Sequence, residues 1–368
     1  MEYFPQSLAA GKSFCNRVSE QSVLAENIDS SRPTLIASPR RYGKTSLAMQ
    51  CISKSKLPFA HFDFLSAVSP SDVEGIMMRG VGKLLSRIEK GPRKALKLAT
   101  DFFAGLSIKL SSDALGLSVE INRKESDPAV NILGILERLD KLAIKCKTKI
   151  ILLFDEFQRV YEVSDNHSIE SVIRQIAQAS KNLSFIFSGS NRHLLDLMFS
   201  DRNRPFYKLC DRIALNRIYE EHYIEYIASV AKKTRRSVEP SAMQAMFELT
   251  ERHPYYMNVL CHRAWRHEVI SADVVHRVWS EYAFEERSQV ASDLDALSGG
   301  QRKLLAALAR EGGTGAPRSA HFQSRSGIAG TTIKQALEYL LKYDYVYKFE
   351  DRVYVVLDPL IKYVLANG

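Results

Sequence analysis

The sequence has few cysteines and no long apolar segment. The five cysteines of the 368-residue chain, none of which forms a CxxC pair, are Cys15, Cys51, Cys146, Cys210 and Cys261. Their odd number and wide spacing exclude a disulfide framework and a zinc site, and we expect reduced, buried thiols in a cytoplasmic protein. No run of about 18 apolar residues is present, so we expect no membrane-spanning helix. The N-terminal residues lack a basic segment followed by an unbroken apolar stretch, so we expect no secretory signal.

Positive charge is unevenly distributed along the chain. The chain has 51 basic and 42 acidic residues, a formal net charge of +9. Residues 79–124 contain ten basic and four acidic residues, so this segment alone contributes +6. Such a segment indicates either a surface that attracts nucleic acid or another acidic partner, or an ordinary solvated helix face.

Residues 34–52 have the order of a phosphate-binding loop: the short apolar strand TLIA, the turn SPRRYGKT, and a helix that begins SLAMQCI. In such a loop, backbone amides and the positive end of the helix bind phosphate groups. Lys44 would contact the terminal phosphates, and the hydroxyl of Thr45 would bind Mg²⁺. The other loop residues expected at the nucleotide are Pro39, Arg40, Arg41, Tyr42, Gly43 and Ser46.

The first position of this loop is Ser38, where glycine would ease an unusual backbone conformation. We expect serine to be accepted there if its φ angle is negative. A second GKS tripeptide, at residues 11–13, follows no strand and is rejected as a phosphate loop.

A pair of carboxylates follows a continuous apolar strand at residues 150–154. Such a run is typical of a strand buried on both faces of a parallel sheet. In a phosphate-loop fold, Asp155 would hold the Mg²⁺ shell and Glu156 would orient and polarise the attacking water. The alternative is that the two charges merely cap a helix.

Three further strands are predicted at residues 59–64, 183–191 and 212–215. Because ligands bind at the carboxyl ends of parallel strands, Ser188, Ser190 and Asn191 are placed to sense the γ-phosphate. For any one of them, a simple helix N-cap is an equally good interpretation.

Several motifs together resemble one family. In chain order they are FCNRVSEQSVLAENI (14–28), SPRRYGKTSL, LLFDEFQRV, FIFSGS, RPFYKLCDRIAL and ERHPYYMNVL (251–260). This set resembles the archaeal-type ATPases of the STAND group, which are relatives of AAA+ proteins. The resemblance implies a P-loop parallel sheet with helices on both faces, a helical lid and a C-terminal winged helix-turn-helix.

The resemblance also implies roles for individual residues. Phe14, Asn16 and Arg17 match the segment beside the adenine, and His253 and Pro254 match a lid motif that touches nucleotide. Two departures from the family pattern are Ser38 and Arg252, which stand where glycine is usual. With these departures, we expect nucleotide binding and slow turnover.

An arginine finger is sought among Arg204, which begins the RPFY motif, and its neighbours Arg202 and Arg212. An arginine that reaches a neighbour's γ-phosphate would stabilise transition-state charge, and Arg204 is the residue we assign to this role. Each could equally be a surface salt-bridge partner.

The segment between the two nucleotide motifs predicts an insert. Residues 107–122 alternate in polarity and indicate a β-hairpin with its turn at Ser111–Asp113, next to a basic helix at 93–103. The insert, at about residues 90–125, is either a contact surface for nucleic acid or protein, or packing at the sheet edge.

The remainder predicts two more domains after an ATPase core at residues 1–215. Residues 216–289 are expected to form the helical lid and residues 290–368 the winged helix. The LSGGQ sequence at 297–301 comes after the acidic strand, not before it as in ABC transporters. We therefore interpret Ser298 as a helix cap.

The winged-helix prediction rests on three helices followed by a hairpin and a last helix capped by Asp358. The second helix of the helix-turn-helix would present Thr331, Thr332, Lys334 and Gln335 to a DNA groove. Winged helices also bind proteins, so the sequence is compatible with either a DNA or a protein partner.

Three functions are compatible with these features. The leading one is a cytoplasmic, Mg²⁺-dependent, slow ATPase that acts as a switch, in which closure of core and lid is relayed through the winged helix to a protein or DNA partner and nucleotide promotes oligomer formation. The second is a DNA-binding regulator or remodeller that uses the winged helix and the basic hairpin. The third is a scaffold that binds nucleotide without turnover.

Overall fold

The computed structural model describes residues 3–89, 91–104, 108–113, 116–121, 127–164, 166–349 and 353–367. The chain folds as two compact units. The sheet unit comprises Arg17–Arg40 and Lys44–Leu215, and the helical unit comprises Met1–Asn16, Arg41–Gly43 and Asn216–Gly368. Three residues of the phosphate loop therefore belong with the helical unit. The predicted division at residues 215 and 289 stays a prediction.

A five-stranded parallel sheet forms the centre of the sheet unit. Its strands are β1 (Thr34–Ala37), β2 (Phe59–Asp63), β5 (Ile150–Asp155), β6 (Leu183–Gly189) and β7 (Asp211–Ala214). Their order across the sheet is β2-β5-β6-β1-β7. Every residue of β5 and β6 is buried. The continuous apolar run at residues 150–154 predicted this burial for β5, because helices cover both faces of such a sheet.

The helices of the sheet unit connect these strands as parallel crossovers require. They are α1 (Val18–Ser30), α2 (Lys44–Ser55), α3 (Pro70–Ile88), α4 (Pro92–Phe103), α5 (Pro128–Lys145), α6 (Gln158–Val163), α7 (Ser168–Ala179) and α8 (Arg192–Ser200). The starts of α3 and α5 follow local chemistry. Ser69 and Asp127 each accept a hydrogen bond from the first turn, and proline occupies the first helical position.

The predicted insert contains an antiparallel hairpin of β3 (Ile108–Asp113) and β4 (Gly116–Ile121), with Ile108 opposite Ile121. The predicted turn position is wrong, because Ser111–Asp113 belong to β3 and pair with residues 116–118. Serine and aspartate are common in turns, but here the ladder extends through them. Parts of the predicted insert, residues 90, 105–107, 114–115 and 122–126, lie outside the described residues.

The helical unit contains nine α-helices within the described residues. They are α9 (Glu220–Thr234), α10 (Pro240–Thr250), α11 (Pro254–Ala264), α12 (Ala272–Glu285), α13 (Arg287–Asp295), α14 (Gly299–Glu311), α15 (Ala320–Ser326), α16 (Gly330–Lys342) and α17 (Pro359–Asn367). Two short strands, β8 (Ser237–Val238) and β9 (Val269–Ile270), pair in parallel between helices. A 3-10 helix at Gly11–Ser13 contains the rejected GKS tripeptide.

The C-terminal part of this unit has the predicted order of three helices and a hairpin. The hairpin strands are β10 (Val346–Phe349) and β11 (Val353–Val356), with residues 350–352 outside the described set. Ser298 caps α14 in a capping box with Gln301, so LSGGQ is a helix start here. Asp358 caps α17 by accepting hydrogen bonds from the amides of Leu360 and Ile361 at 2.9 and 3.1 Å.

The prediction of five buried thiols is only partly correct. Cys51 and Cys261 are buried and all five cysteines are free, but Cys146 is exposed and two others are half-buried. Cys146 follows the last residue of α5, and such helix ends meet solvent. Across the described ranges, no helix combines the length and apolar character needed to cross a bilayer.

Candidate functional site

The phosphate loop has two residues in left-handed backbone conformation. The φ angles of Arg41 and Gly43 are +64° and +89°. Ser38 is not among the described residues with positive φ, so serine is accepted there as the sequence predicts. A Cβ atom on Gly43 would meet nothing within 4 Å. Glycine is therefore favoured at position 43 by its backbone angle and not by lack of space.

Lys44 is the first residue of α2 and is only 6% exposed. Its ammonium group donates to the backbone oxygens of Ser38 and Pro39, at 3.0 and 2.9 Å. The lysine thus lies folded back over its own loop. A buried ammonium at a helix N-terminus is a strong local positive charge that can bind phosphate oxygens.

Asp155, at the end of β5, meets the phosphate loop. Its Oδ2 atom accepts a 2.7 Å hydrogen bond from the hydroxyl of Thr45, and its Oδ1 atom accepts one of 2.5 Å from Ser188 at the end of β6. The Nε2 atom of His61, on β2, lies 3.6 Å from Oδ2. Burial alone would raise the pKa of Asp155, but His61, Ser188 and Thr45 together hold the pKa at about 2. The carboxyl group is therefore ionised at neutral pH.

Glu156 has a left-handed backbone, with φ of +51°, that turns its carboxylate toward β6. Its Oε2 atom accepts hydrogen bonds from Nε2 of Gln158 at 2.5 Å and from the hydroxyl and amide of Ser190 at 2.8 and 3.3 Å. Gly189 leaves room for Gln158, since a Cβ there would lie 2.1 Å from Gln158 Oε1. The structure therefore holds Glu156 with three donors. Sequence reasoning did not identify Gln158 or His61.

The remaining predicted residues of the sheet unit have separate contacts. Asn191 caps α8 by accepting from the amide of Leu194 at 3.1 Å, and Arg17 donates to Glu20 at 3.0 Å. Pro39 is buried, Arg40 is exposed and Ser46 is half-buried.

The three candidate finger arginines lie in different environments. Arg204 donates to the hydroxyl of Tyr161 at 3.0 Å and also contacts His167. Arg212 pairs with Asp196 at 2.9 Å, and Arg202 is exposed. In this conformation Arg204 is therefore occupied within its own chain, and its role as a finger stays a prediction.

In the helical unit, the loop tip meets the predicted lid motif. Tyr42 is buried, and its ring centre lies 4.7 Å from that of His253 in an edge-on contact. Pro254 begins α11 directly after His253, which occupies the N-cap position. Phe14 and Asn16 are half-buried, and Asn16 has a φ of +63°.

The donor set fits a nucleotide with Mg²⁺. A threonine hydroxyl and an ionised carboxylate are hard oxygen ligands of the kind that Mg²⁺ prefers. Thr45 directly follows Lys44, the buried first residue of α2. Because such charges attract phosphate and metal together, the arrangement can bind a triphosphate.

The predicted DNA-contacting residues share one exposed helix face. Thr331, Thr332, Lys334 and Gln335 lie on α16 and are all exposed, whereas Ile333 of the same helix is buried. The helix thus presents these four side chains outward.

Comparison with known proteins supports the same architecture. The family described as "Probable winged helix domain" matches residues 288–367. The chain is similar in structure to the Walker-type ATPase paby2304 of Pyrococcus abyssi, with a TM-score of 0.72 and 18% identity over 99% of both chains. It is also similar to the ORC2 protein of Aeropyrum pernix in its ADPNP-ADP complexes. The TM-score there is 0.60 and the identity 13%, covering 96% of this chain and 94% of that one. No curated protein matches the sequence.

Sequence identities of 13–18% establish fold and not activity. The predicted parallel sheet and the predicted C-terminal winged helix are both confirmed. The chain therefore has the fold of the P-loop ATPases of the AAA+ type, with a winged-helix domain at its C-terminal end.

Proposed function

We propose that the protein binds ATP with Mg²⁺, hydrolyses it slowly and works as a nucleotide-operated switch. The observation that carries this proposal is the 2.7 Å hydrogen bond to Asp155 from Thr45, the residue that directly follows the buried Lys44. This contact brings together two motifs that are far apart in sequence, which supports a common site for phosphate and Mg²⁺.

Each residue of this site has a role in the proposed reaction. Lys44 would exchange its bonds to Ser38 and Pro39 for bonds to the β- and γ-phosphates. Thr45 and Asp155 would hold Mg²⁺, which when bound neutralises charge on the phosphates. The carboxylate of Glu156 would release its three hydrogen-bond donors and then accept a proton from the attacking water.

The first experiment measures binding and turnover in the full chain. We expect Lys44→Ala to weaken binding of a fluorescent ATP analogue at least 10-fold, since it removes the buried cation. We expect Glu156→Gln to keep the affinity within about twofold and to lower hydrolysis at least 100-fold, the scale of a lost general base. Lys56→Ala, on the loop after α2, is a control for charge alone.

The outcomes separate the candidate functions. Equal affinity in wild type and Lys44→Ala would refute nucleotide binding at this loop. Tight binding with no hydrolysis in the wild type, and no effect of Glu156→Gln, would identify the scaffold without turnover.

We further propose that the winged-helix domain passes the nucleotide state to a partner. The alternative of a DNA-binding regulator is favoured by the exposed face of α16 with Thr331, Thr332, Lys334 and Gln335. Phosphate contacts make DNA binding depend steeply on salt. A salt titration of duplex binding, with Lys334→Ala beside Lys303→Ala on α14, tests it. No binding, or binding that does not change with salt, excludes DNA and leaves a protein partner.

A further inference from the structure

The tip of the phosphate loop packs on side chains that are remote in sequence. The guanidinium of Arg41 lies 4.3 Å from the ring centre of Tyr255, a cation–π contact. The ring of Tyr42 is buried against His253. Because Arg41 has a left-handed backbone, which few residues other than glycine adopt, the loop depends on such contacts to keep its shape.

Arg217, three residues before α9, connects Tyr42 to the winged-helix domain. Its side chain is only 12% exposed. Burial alone would lower the pKa of Arg217, but Glu251 and the nearby side chain of Tyr42 raise it. Its Nη2 atom donates to the backbone oxygen of Leu357 at 2.8 Å, directly after β11. Its guanidinium carbon lies 5.6 Å from the ring centre of Tyr347 on β10. One side chain therefore lies near the loop tip and contacts the wing.

Glu251 extends this connection to the last helix. Nη1 of Arg217 donates to the backbone oxygen of Glu251 at 2.8 Å and pairs with its carboxylate. The other carboxylate oxygen accepts a 2.5 Å bond from Nζ of Lys362 on α17. The planar guanidinium serves these partners at once, which a lysine could not do. The connected set Tyr42, Arg217, Glu251 and Lys362 is called the relay below.

We propose that Arg217 is a positioning residue that couples nucleotide affinity to the state of the winged-helix domain, an inference that rests on the proposed ATP binding. While the wing and α17 keep their contacts, Arg217 is fixed and holds Tyr42, two residues before Lys44. A partner that displaces the wing or α17 frees Arg217 and loosens the loop, so nucleotide affinity falls. By thermodynamic reciprocity, nucleotide binding weakens that partner's binding by the same factor.

The test is a double-mutant cycle at the two ends of the relay, in the full chain. Tyr42→Phe removes the hydroxyl and keeps the ring on His253, and Lys362→Met removes the distant charge and keeps the chain length. These changes avoid Arg217 itself, whose loss would leave Glu251 without its buried partner. The measured quantity is the dissociation constant of a fluorescent ATP analogue with Mg²⁺.

We expect each single change to weaken binding about 3- to 10-fold. The dissociation constant of the double variant should be at most about twice that of the weaker-binding single variant, because both changes break the same connection. Lys303→Met, an exposed lysine on α14 of the same domain, should leave affinity unchanged. The coupling would be overturned, with ATP binding unaffected, by either of two results. One is that the fold-losses of affinity in the two single variants multiply in the double variant. The other is that Lys362→Met and Lys303→Met have the same affinity. A wild type that binds no nucleotide would instead overturn the proposed function.

Hydrogen exchange supplies a second readout that a purely structural role would not move. In the wild type, ATP analogue should increase protection of the backbone amides in β11 and α17. In Tyr42→Phe at saturating analogue that increase should be at least halved. Equal increases in both proteins would contradict the relay.

Discussion

The hydroxyl of Thr45 donates a 2.7 Å hydrogen bond to Oδ2 of Asp155, although 110 residues separate them. The strand order explains this contact. β6 lies between β1 and β5, and Ser188 at its end donates to the other oxygen of Asp155. Three chain segments therefore meet at one edge of the sheet, where parallel sheets place their ligands.

Asp155 predicts a defined loss of stability in acid. Its folded-state pKa of about 2 lies below the ordinary 3.8, so its stabilising effect is complete above about pH 5 and is lost as the pH falls from 4 toward 2. We expect a contribution of about 2 kcal/mol in total, of which about 1 kcal/mol is gone at pH 3. Urea unfolding at pH 6 and pH 3 measures it.

Asp155→Asn is the matched variant for this prediction, because an amide cannot ionise yet keeps an oxygen for Thr45. The stability gap between wild type and variant should shrink by about 1 kcal/mol between pH 6 and pH 3. A gap that stays constant with pH would show that Asp155 does not titrate in this range.

Gln158 is expected to restrain Glu156. Its Nε2 atom donates to Glu156 at 2.5 Å, and removing the donor leaves the carboxylate free to turn toward an attacking water. Gln158→Met should raise ATP hydrolysis about 3- to 10-fold without changing affinity. Gln178→Met, an exposed glutamine on α7, serves as control. A rate that falls or stays constant would mean that Gln158 supports the reaction instead.

Gly43 allows the effect of backbone conformation to be tested apart from steric crowding. A Cβ meets nothing within 4 Å at Gly43 or at Gly134 of α5, but only Gly43 has a positive φ. Gly43→Ala should weaken nucleotide binding at least 10-fold and cost about 1 kcal/mol of stability, whereas Gly134→Ala should stabilise by about 0.5–1 kcal/mol. Equal behaviour in calorimetry and binding would contradict the assigned loop geometry.

Phe157, the residue after Glu156, packs in the hydrophobic core beneath the site. It is fully buried and its ring packs on those of Phe187 and Phe206, with centres 4.7 and 5.3 Å away. Phe157→Ala should destabilise the protein by about 3–5 kcal/mol, and Phe157→Leu by clearly less, because the cavity is smaller. Chemical denaturation measures both. Similar losses of unfolding free energy for the two variants would mean that the surrounding residues fill the cavity equally well in both.

The sequence predicted the strands and acidic residues of this site because their signals are local. A continuous apolar run ending in Asp155 and Glu156 identifies a buried strand and its carboxyl end without knowledge of the neighbours. His61 and Gln158 carried no such signal. Each becomes part of the site only through strand pairing or a left-handed turn, and neither can be derived from residue spacing.

The same limit applies to the loop tip and to the insert. Tyr42 and Arg41 were expected at a nucleotide, but their contacts with His253 and Tyr255 depend on helices more than 200 residues later. The misplaced turn at Ser111–Asp113 arose because turn-forming residues also occur in strands when a long ladder continues.

The negative φ of Ser38 has a consequence for how such loops are found. The positions that require an unusual backbone are 41 and 43, and one of them is filled by arginine. A search pattern that insists on glycine at the opening position would pass over chains built like this one. A pattern anchored on the left-handed positions and on the strand-borne aspartate would retrieve them.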